Sequence, residues 1–158
     1  MLHSASVGVN GYFLPRAADL ADLGAWSSIL PDQPRILRTN LFGDTFIVGA
    51  DGYVHLLERA GCCAERIADS EEEFWHRVRN DDEGWLMTHL ADDCRSIGLT
   101  LRHGQCYAFT VPPILGGDCS PQNVWVAPWD EWFSVMRDLF AQVKDLPDGA
   151  SVSFKVVD

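Results

Sequence analysis

Few side chains in this chain have both the type and the spacing to do chemistry, and they gather around residues 103–119. His103, Cys106 and Cys119 are the candidate zinc ligands, should the 104–123 segment fold back on itself. Structural zinc sites normally show two short-spaced ligand pairs. Here one HxxC is joined by a distant Cys, with no evident fourth ligand. Cys62 and Cys63 are adjacent, and neighbours on a strand point to opposite faces, so they do not chelate one ion together. Cys106 beside His103 or His89 is the candidate nucleophile–base pair. Cys106 nevertheless opens an apolar run, CYAFTV, where a small buried hydrophobe is expected. Asp44, between Gly43 and an apolar strand, is the one acid in a hydrophobic setting and the candidate catalytic base. The alternative is an Asp that accepts local backbone amides at a turn. Ser70 and Ser120 read as a helix cap and a turn residue. GxSxG, GxGxxG and GxxxxGK[ST] are all absent, and no cofactor is expected.

Patterning supplies the elements that position these residues. Ala17, Leu20, Leu23 and Trp26 predict a short amphipathic helix over 16–26. PRILRTN (34–40) begins extended structure. Thr45–Val48 and Tyr53–Leu57 flank Asp51-Gly52, a hairpin signal, and Ala64–Ala68 add a strand. Ser70 with Glu73 forms a capping box, in which the Glu73 carboxylate is expected on the Ser70 amide. The helix behind it carries Phe74, Trp75 and Val78. Asp81 and Asp82 mark the start of a second helix whose buried face is Leu86, Leu90, Cys94 and Ile97, closed by Gly98. LTLR (99–102), CYAFTV (106–111) and VWVA (124–127) read as strands, the first two joined by a turn at 103–105. After Pro128, Trp132, Phe133, Met136, Leu139, Phe140 and Val143 stripe a helix running to about Leu146. LPDG stops that helix, and SVSFKVV (151–157) alternates as a last strand. Trp125, Trp129 and Trp132 cluster at a strand–helix junction, where core packing is the favoured reading over a binding surface.

Runs of strands followed by runs of helices give α+β: a single domain, a mostly antiparallel sheet, and three to four helices packed mainly on one face. Residues 1–24 read as a lead-in segment and 25–158 as the domain. The net charge of −11, with 23 acidic and 12 basic residues, argues against binding a nucleic-acid backbone. It suits a basic protein partner, since opposite charge steers encounter. The absence of a basic, apolar leader or a long apolar stretch leads to an expectation of a cytoplasmic protein with no membrane association. A monomer or weak homodimer is expected. Clustering singles out Glu71, Glu72, Glu73, Asp81, Asp82, Glu83, Asp92 and Asp93 as candidate partner contacts.

Several stretches, in their order and spacing, resemble one bacterial family: TNLFGDTFIVGADGYVHLL, IADSEEEF, GLTLRHGQCYAFTVPPILGGD, Asn123 and DLPDGASV. The family is the C-terminal domain of type VI secretion immunity proteins, which often follows a GAD-like domain. Its most specific parts here are Phe42-Gly43-Asp44, then Gly104, Gln105, Cys106 and Tyr107 with Pro112, Pro113, Gly116 and Gly117, and Pro147 with Gly149. These, with Asn123, are read as structural. The resemblance implies an inhibitor rather than an enzyme: a cytosolic immunity protein that binds a secreted toxic effector, such as a nuclease, and occludes it. A small hydrolase centred on Asp44 or Cys106 remains the alternative, as does an adaptor for a basic, non-toxic protein.

Overall fold

The structure is a computed structural model that describes residues 10–15 and 19–146. Alternating apolar residues build its central element, a five-stranded antiparallel meander in the order β1 (Phe13–Leu14), β2 (Arg35–Asn40), β3 (Thr45–Val48), β4 (Val54–Glu58) and β5 (Cys63–Ala68). The Asp51-Gly52 hairpin forms as expected. Val48 pairs with Val54 and Thr45 with Leu57, while Gly52 takes the left-handed φ of +85° that the turn demands. Because side chains alternate across a strand, the sheet has two apolar faces. Phe46, Val48, Val54 and Leu56 point to one, and Ile47 and Leu57 to the other.

The first face is covered by α2 (Glu71–Val78), through Phe74 and Val78, and by Leu86. The second holds the larger core. It receives α1 (Leu20–Leu23) with its 3-10 continuation Gly24–Ile29, then α3 (Thr88–Ser96) and α4 (Trp129–Val143). The class is therefore α+β, with most helices on one face. In α4, Trp132, Phe133, Met136, Leu139 and Phe140 are all buried, each stabilising by roughly 1.5–3 kcal/mol.

Five local expectations are corrected. A second sheet stands apart from the first, with only two strands, β6 (Gln105–Phe109) and β7 (Val124–Pro128). Residues 99–102 are not a strand: the edge of β6 away from β7 gives the Tyr107 amide to the Leu41 carbonyl at 2.8 Å. The helix expected from Asp81-Asp82 begins only at Thr88. Gly84, at φ +76°, interrupts the chain, and Asp81 instead holds the connecting turn, accepting from the amides of Leu86 (2.9 Å) and Thr88 (3.3 Å). Leu20 and Ile97, placed on buried faces by periodicity, are 61% and 55% exposed. The long helix ends at Val143, and its predicted continuation to Leu146 is turn. Ala17, Pro147, Gly149 and the strand predicted at 151–157 lie outside the described residues.

Candidate functional site

The FGD triplet lies in the tight turn between β2 and β3, and its geometry explains each residue type. Asn40 closes the turn: its Oδ1 accepts from the amides of Phe42 (2.9 Å) and Asp44 (3.0 Å), and its Nδ2 donates to the Trp85 carbonyl at 3.0 Å. Phe42 is buried, stacked on Phe109 and tilted against Tyr107. Gly43 has φ +88°, and a Cβ there would sit 2.6 Å from the Phe133 ring. Asp44 turns inward, and its Oδ1 accepts from the Arg59 amide at 3.0 Å.

Arg59 is the residue that sequence reasoning missed. Its side chain is fully buried, which is rare for a guanidinium; Nε and Nη2 have partners, while Nη1 is left without a hydrogen bond. Nε donates to the Gly43 carbonyl at 2.7 Å, and Nη2 to Thr45 Oγ1 at 3.2 Å. Nη2 also lies 2.7 Å from Asp22 Oδ2, and the guanidinium sits 3.9 Å above the Phe133 ring. One side chain thus ties α1, the FGD turn and α4 together. Nothing in the local run Glu58-Arg59-Ala60 marks it, since an Arg at a strand end is usually solvated.

The candidate catalytic groups are enclosed by this arrangement. Burial, helped by Glu58, pushes the Asp44 carboxyl up to about 7, against the opposing Arg59 and Asn40. Such a value recurs at functional sites, but Asp44 is buried and its carboxyl already serves the backbone. Cys106 is wholly buried, and its thiol is pushed up to about 12, chiefly by burial, so it carries no thiolate at neutral pH. His103 and His89 are exposed, His103 lying edge-on to Trp129 with ring centres 5.7 Å apart. Neither hydrogen-bonds to Cys106 among the described residues. Burial also raises Cys62 to about 11 and Cys63 to about 12, the latter helped by its hydrogen bond to Glu58. Among the described residues no cluster of three or more His, Cys, Asp or Glu side chains suits a metal ion.

The peculiar segment 104–123 resolves into a strand and a clamped loop. Gly104 has φ +87°, its carbonyl accepts from the Trp129 amide (2.9 Å), and Gln105 Oε1 accepts from the Arg102 amide (2.8 Å). Tyr107 is buried and donates its hydroxyl to the Leu99 carbonyl at 2.6 Å. Pro112 and Pro113 lead into a 3-10 turn closed by Gly116 at φ +93°. Gly117 packs so tightly that a Cβ would lie 1.7 Å from the Val111 carbonyl oxygen. Asn123 then clasps the loop from the far side. It accepts from the Val111 amide (3.0 Å) and donates to the carbonyls of Val111 (2.9 Å) and Asp118 (2.8 Å).

Beside this loop, and formed by it, an open groove of about 400 Å³ runs between β7 and α4. Trp132 and Phe109 are among its buried lining, Val111, Pro112 and Leu115 come from the loop, and Trp125 stands beside them 41% exposed. Of the three clustered tryptophans, Trp132 belongs to the core as expected, Trp129 is half-buried, and Trp125 faces the groove.

The eight acids fall into two groups. Glu71 pairs with Arg35, and Glu83 with Arg77 at 3.2 Å. Asp92 accepts from the Tyr12 hydroxyl, and Asp81 holds the turn before α3. Ser70 caps α2 at the Glu73 amide (3.1 Å) as expected, but the Glu73 carboxylate returns to the Asp69 amide (3.0 Å), one residue beyond the predicted Ser70 amide. Glu72, Asp82 and Asp93 are exposed and have no side-chain partner among the described residues. Glu72 and Glu73 also border a hollow with Trp75, His76 and Arg79. No helix among the described residues is long and apolar enough to cross a membrane.

Comparison with known proteins finds a family that matches part of this chain. Residues 68–140 match the family described as T6SS immunity protein Tdi1, C-terminal. That is the family the sequence resembles, and the matched stretch carries α2, all eight candidate acids and the clamped 104–123 segment. No curated protein matches the chain.

Proposed function

We propose that this protein is an inhibitor that binds a secreted toxic effector and occludes it, acting in the cytoplasm of the cell that must be protected. The observation that carries this reading is where the reactive side chains lie. Asp44 and Cys106 are held inside the fold, whereas acids and an apolar groove face solvent. The family match to an immunity protein supports the same role.

The net charge of −11 favours a basic effector, and a nuclease fits best, because it presents cationic groups to phosphates. On this reading the eight acids at 71–73, 81–83 and 92–93 serve the encounter. Glu72, Asp82 and Asp93 are the freest to meet a cation, and the internally bonded acids contribute to the field. The test is co-expression with the toxin encoded in the adjacent reading frame. Growth should be restored and a stable complex should co-purify, with the toxin's DNA cleavage suppressed in proportion to the complex formed. Undiminished toxicity with no complex would overturn the proposal. Inhibition at far less than one inhibitor per toxin would instead point to an enzyme.

A further inference from the structure

We propose that the groove beside the clamped 110–117 loop is the anchor site for the effector, receiving an apolar side chain flanked by a lysine or arginine. This rests on the inhibitory role argued above and assigns the surface that supplies the affinity. Exposed large hydrophobics are the first sign. Six are present among the described residues, and three of them, Val111, Ile114 and Trp125, belong to this loop and the strand beside it. Such a concentration marks an interaction surface, where single scattered ones do not.

Rigidity is the second. Both backbone polar groups of Val111 are held by Asn123, and Gly117 is packed against the Val111 carbonyl. The groove wall is thereby built before any partner arrives, which lowers the ordering cost of binding. A half-exposed Trp beside a fixed apolar wall is the residue type that most often dominates binding energy. Charge is the third. The lining contains a single charged side chain, Glu131, and no basic residue. Glu131 is exposed and makes no side-chain hydrogen bond or ion pair among the described residues, and Asp130 precedes it. An apolar slot with a carboxylate at its rim selects an aliphatic or aromatic anchor next to a cation. A surface segment of a basic effector supplies that combination.

The experiment measures affinity for the toxin of the adjacent reading frame, by calorimetry, with full-length wild type and three variants. Trp125→Ala is expected to weaken binding about 30-fold or more. Val111→Arg, which leaves the backbone clasp intact and sets a cation against the incoming one, should weaken it at least as much. Glu131→Gln should cost about 5–10-fold at low salt and less at high salt. Thermal melts establish that each variant is folded. If wild type binds and the folded Trp125→Ala and Val111→Arg variants bind within twofold of it, the groove is not the anchor, and the inhibitory role stands. If wild type itself does not bind, the inhibitory role fails and the anchor with it. Two other occupants would also overturn the assignment. A second copy would appear as a concentration-dependent dimer, by sedimentation, that Trp125→Ala abolishes. The chain's own residues 147–158 would appear as a melting temperature that their deletion lowers in wild type but not in Trp125→Ala, with toxin affinity unchanged by either change.

Discussion

Replacing Asp44 by Asn keeps an oxygen for the Arg59 amide and removes a carboxyl whose titration is displaced into the neutral range. Below about pH 3 the carboxyl is protonated in native and unfolded chains alike, and it contributes nothing to the pH dependence. As pH rises from about 4 to about 7, the unfolded chain releases this proton and the native one retains it. The native state then binds more protons, so its stability falls with rising pH and levels off above about 7. At about 1.4 kcal/mol per tenfold, holding the group at about 7 rather than near 4 corresponds to on the order of 4 kcal/mol. That is an upper bound, since the Asn amide hydrogens must find acceptors in the same buried site, at a cost of about 1–3 kcal/mol.

The wild-type and Asp44→Asn stabilities, measured by urea unfolding from pH 4.5 to 8, should therefore diverge. The variant is expected to be near or slightly below wild type at the acid end and about 1–3 kcal/mol above it at the alkaline end. Groups unaffected by the substitution cancel in the difference. A flat difference, or a variant that loses ground as pH rises, would refute the reasoning. The second result would mean that the Arg59 guanidinium, not burial, governs Asp44 and holds it ionised. The same variant also probes the catalytic alternative: a folded Asp44→Asn protein should protect cells as well as wild type, and a folded but unprotective one would restore the hydrolase reading.

Arg59→Met should cost up to about 3–5 kcal/mol, because it leaves the largely buried Asp22 with only the more distant Arg137, at 3.9 Å, as counter-charge, and adding Asp22→Leu should recover much of that in chemical unfolding. Gly117→Ala should cost about 3 kcal/mol or more, since its Cβ meets backbone rather than a movable side chain. Asn123→Ala removes three hydrogen bonds and should cost about 2–3 kcal/mol, with amide exchange at Val111 accelerated far more than in α4. Neutralising Glu72, Asp82 and Asp93 together should slow association with the toxin about tenfold at low salt while leaving dissociation nearly unchanged, as stopped-flow at two ionic strengths would show. A change confined to dissociation would place these acids in the interface rather than in the steering field.

The sequence was most legible where one local rule decides the outcome. The Asp51-Gly52 hairpin, the Ser70 cap and the apolar stripe of α4 each follow from spacing within a few residues, and each is present. It was least legible where a distant partner decides. Residues 99–102 have strand-like composition, yet the β6 edge they would need is occupied by Leu41, far back in the chain. Asp81 looks like a helix cap and instead bridges a seven-residue turn. Arg59 gave no signal, because its burial depends on Asp22, Thr45 and Phe133 arriving from three other elements.

The clamped segment shows how one motif can seem to carry chemistry and do something else. Its cysteines, prolines and glycines in close succession invite a metal or a nucleophile, but each type answers a backbone requirement: Pro112 and Pro113 enter the 3-10 turn, Gly116 takes a left-handed φ, and Gly117 has no room for a Cβ. Cys106 packs in the core and Asn123 substitutes for backbone pairing across the loop. What this yields is a stiff wall holding Val111 in place, with Trp125 on the strand beside it. A surface that must bind one partner tightly needs such a wall more than it needs a reactive group, because affinity is lost when a loop must be ordered on contact. The strictest residue requirements therefore fall on positions that build the wall, such as Gly116, Gly117 and Asn123. The side chains proposed to make contact, Trp125, Val111 and Glu131, answer no such backbone requirement of their own.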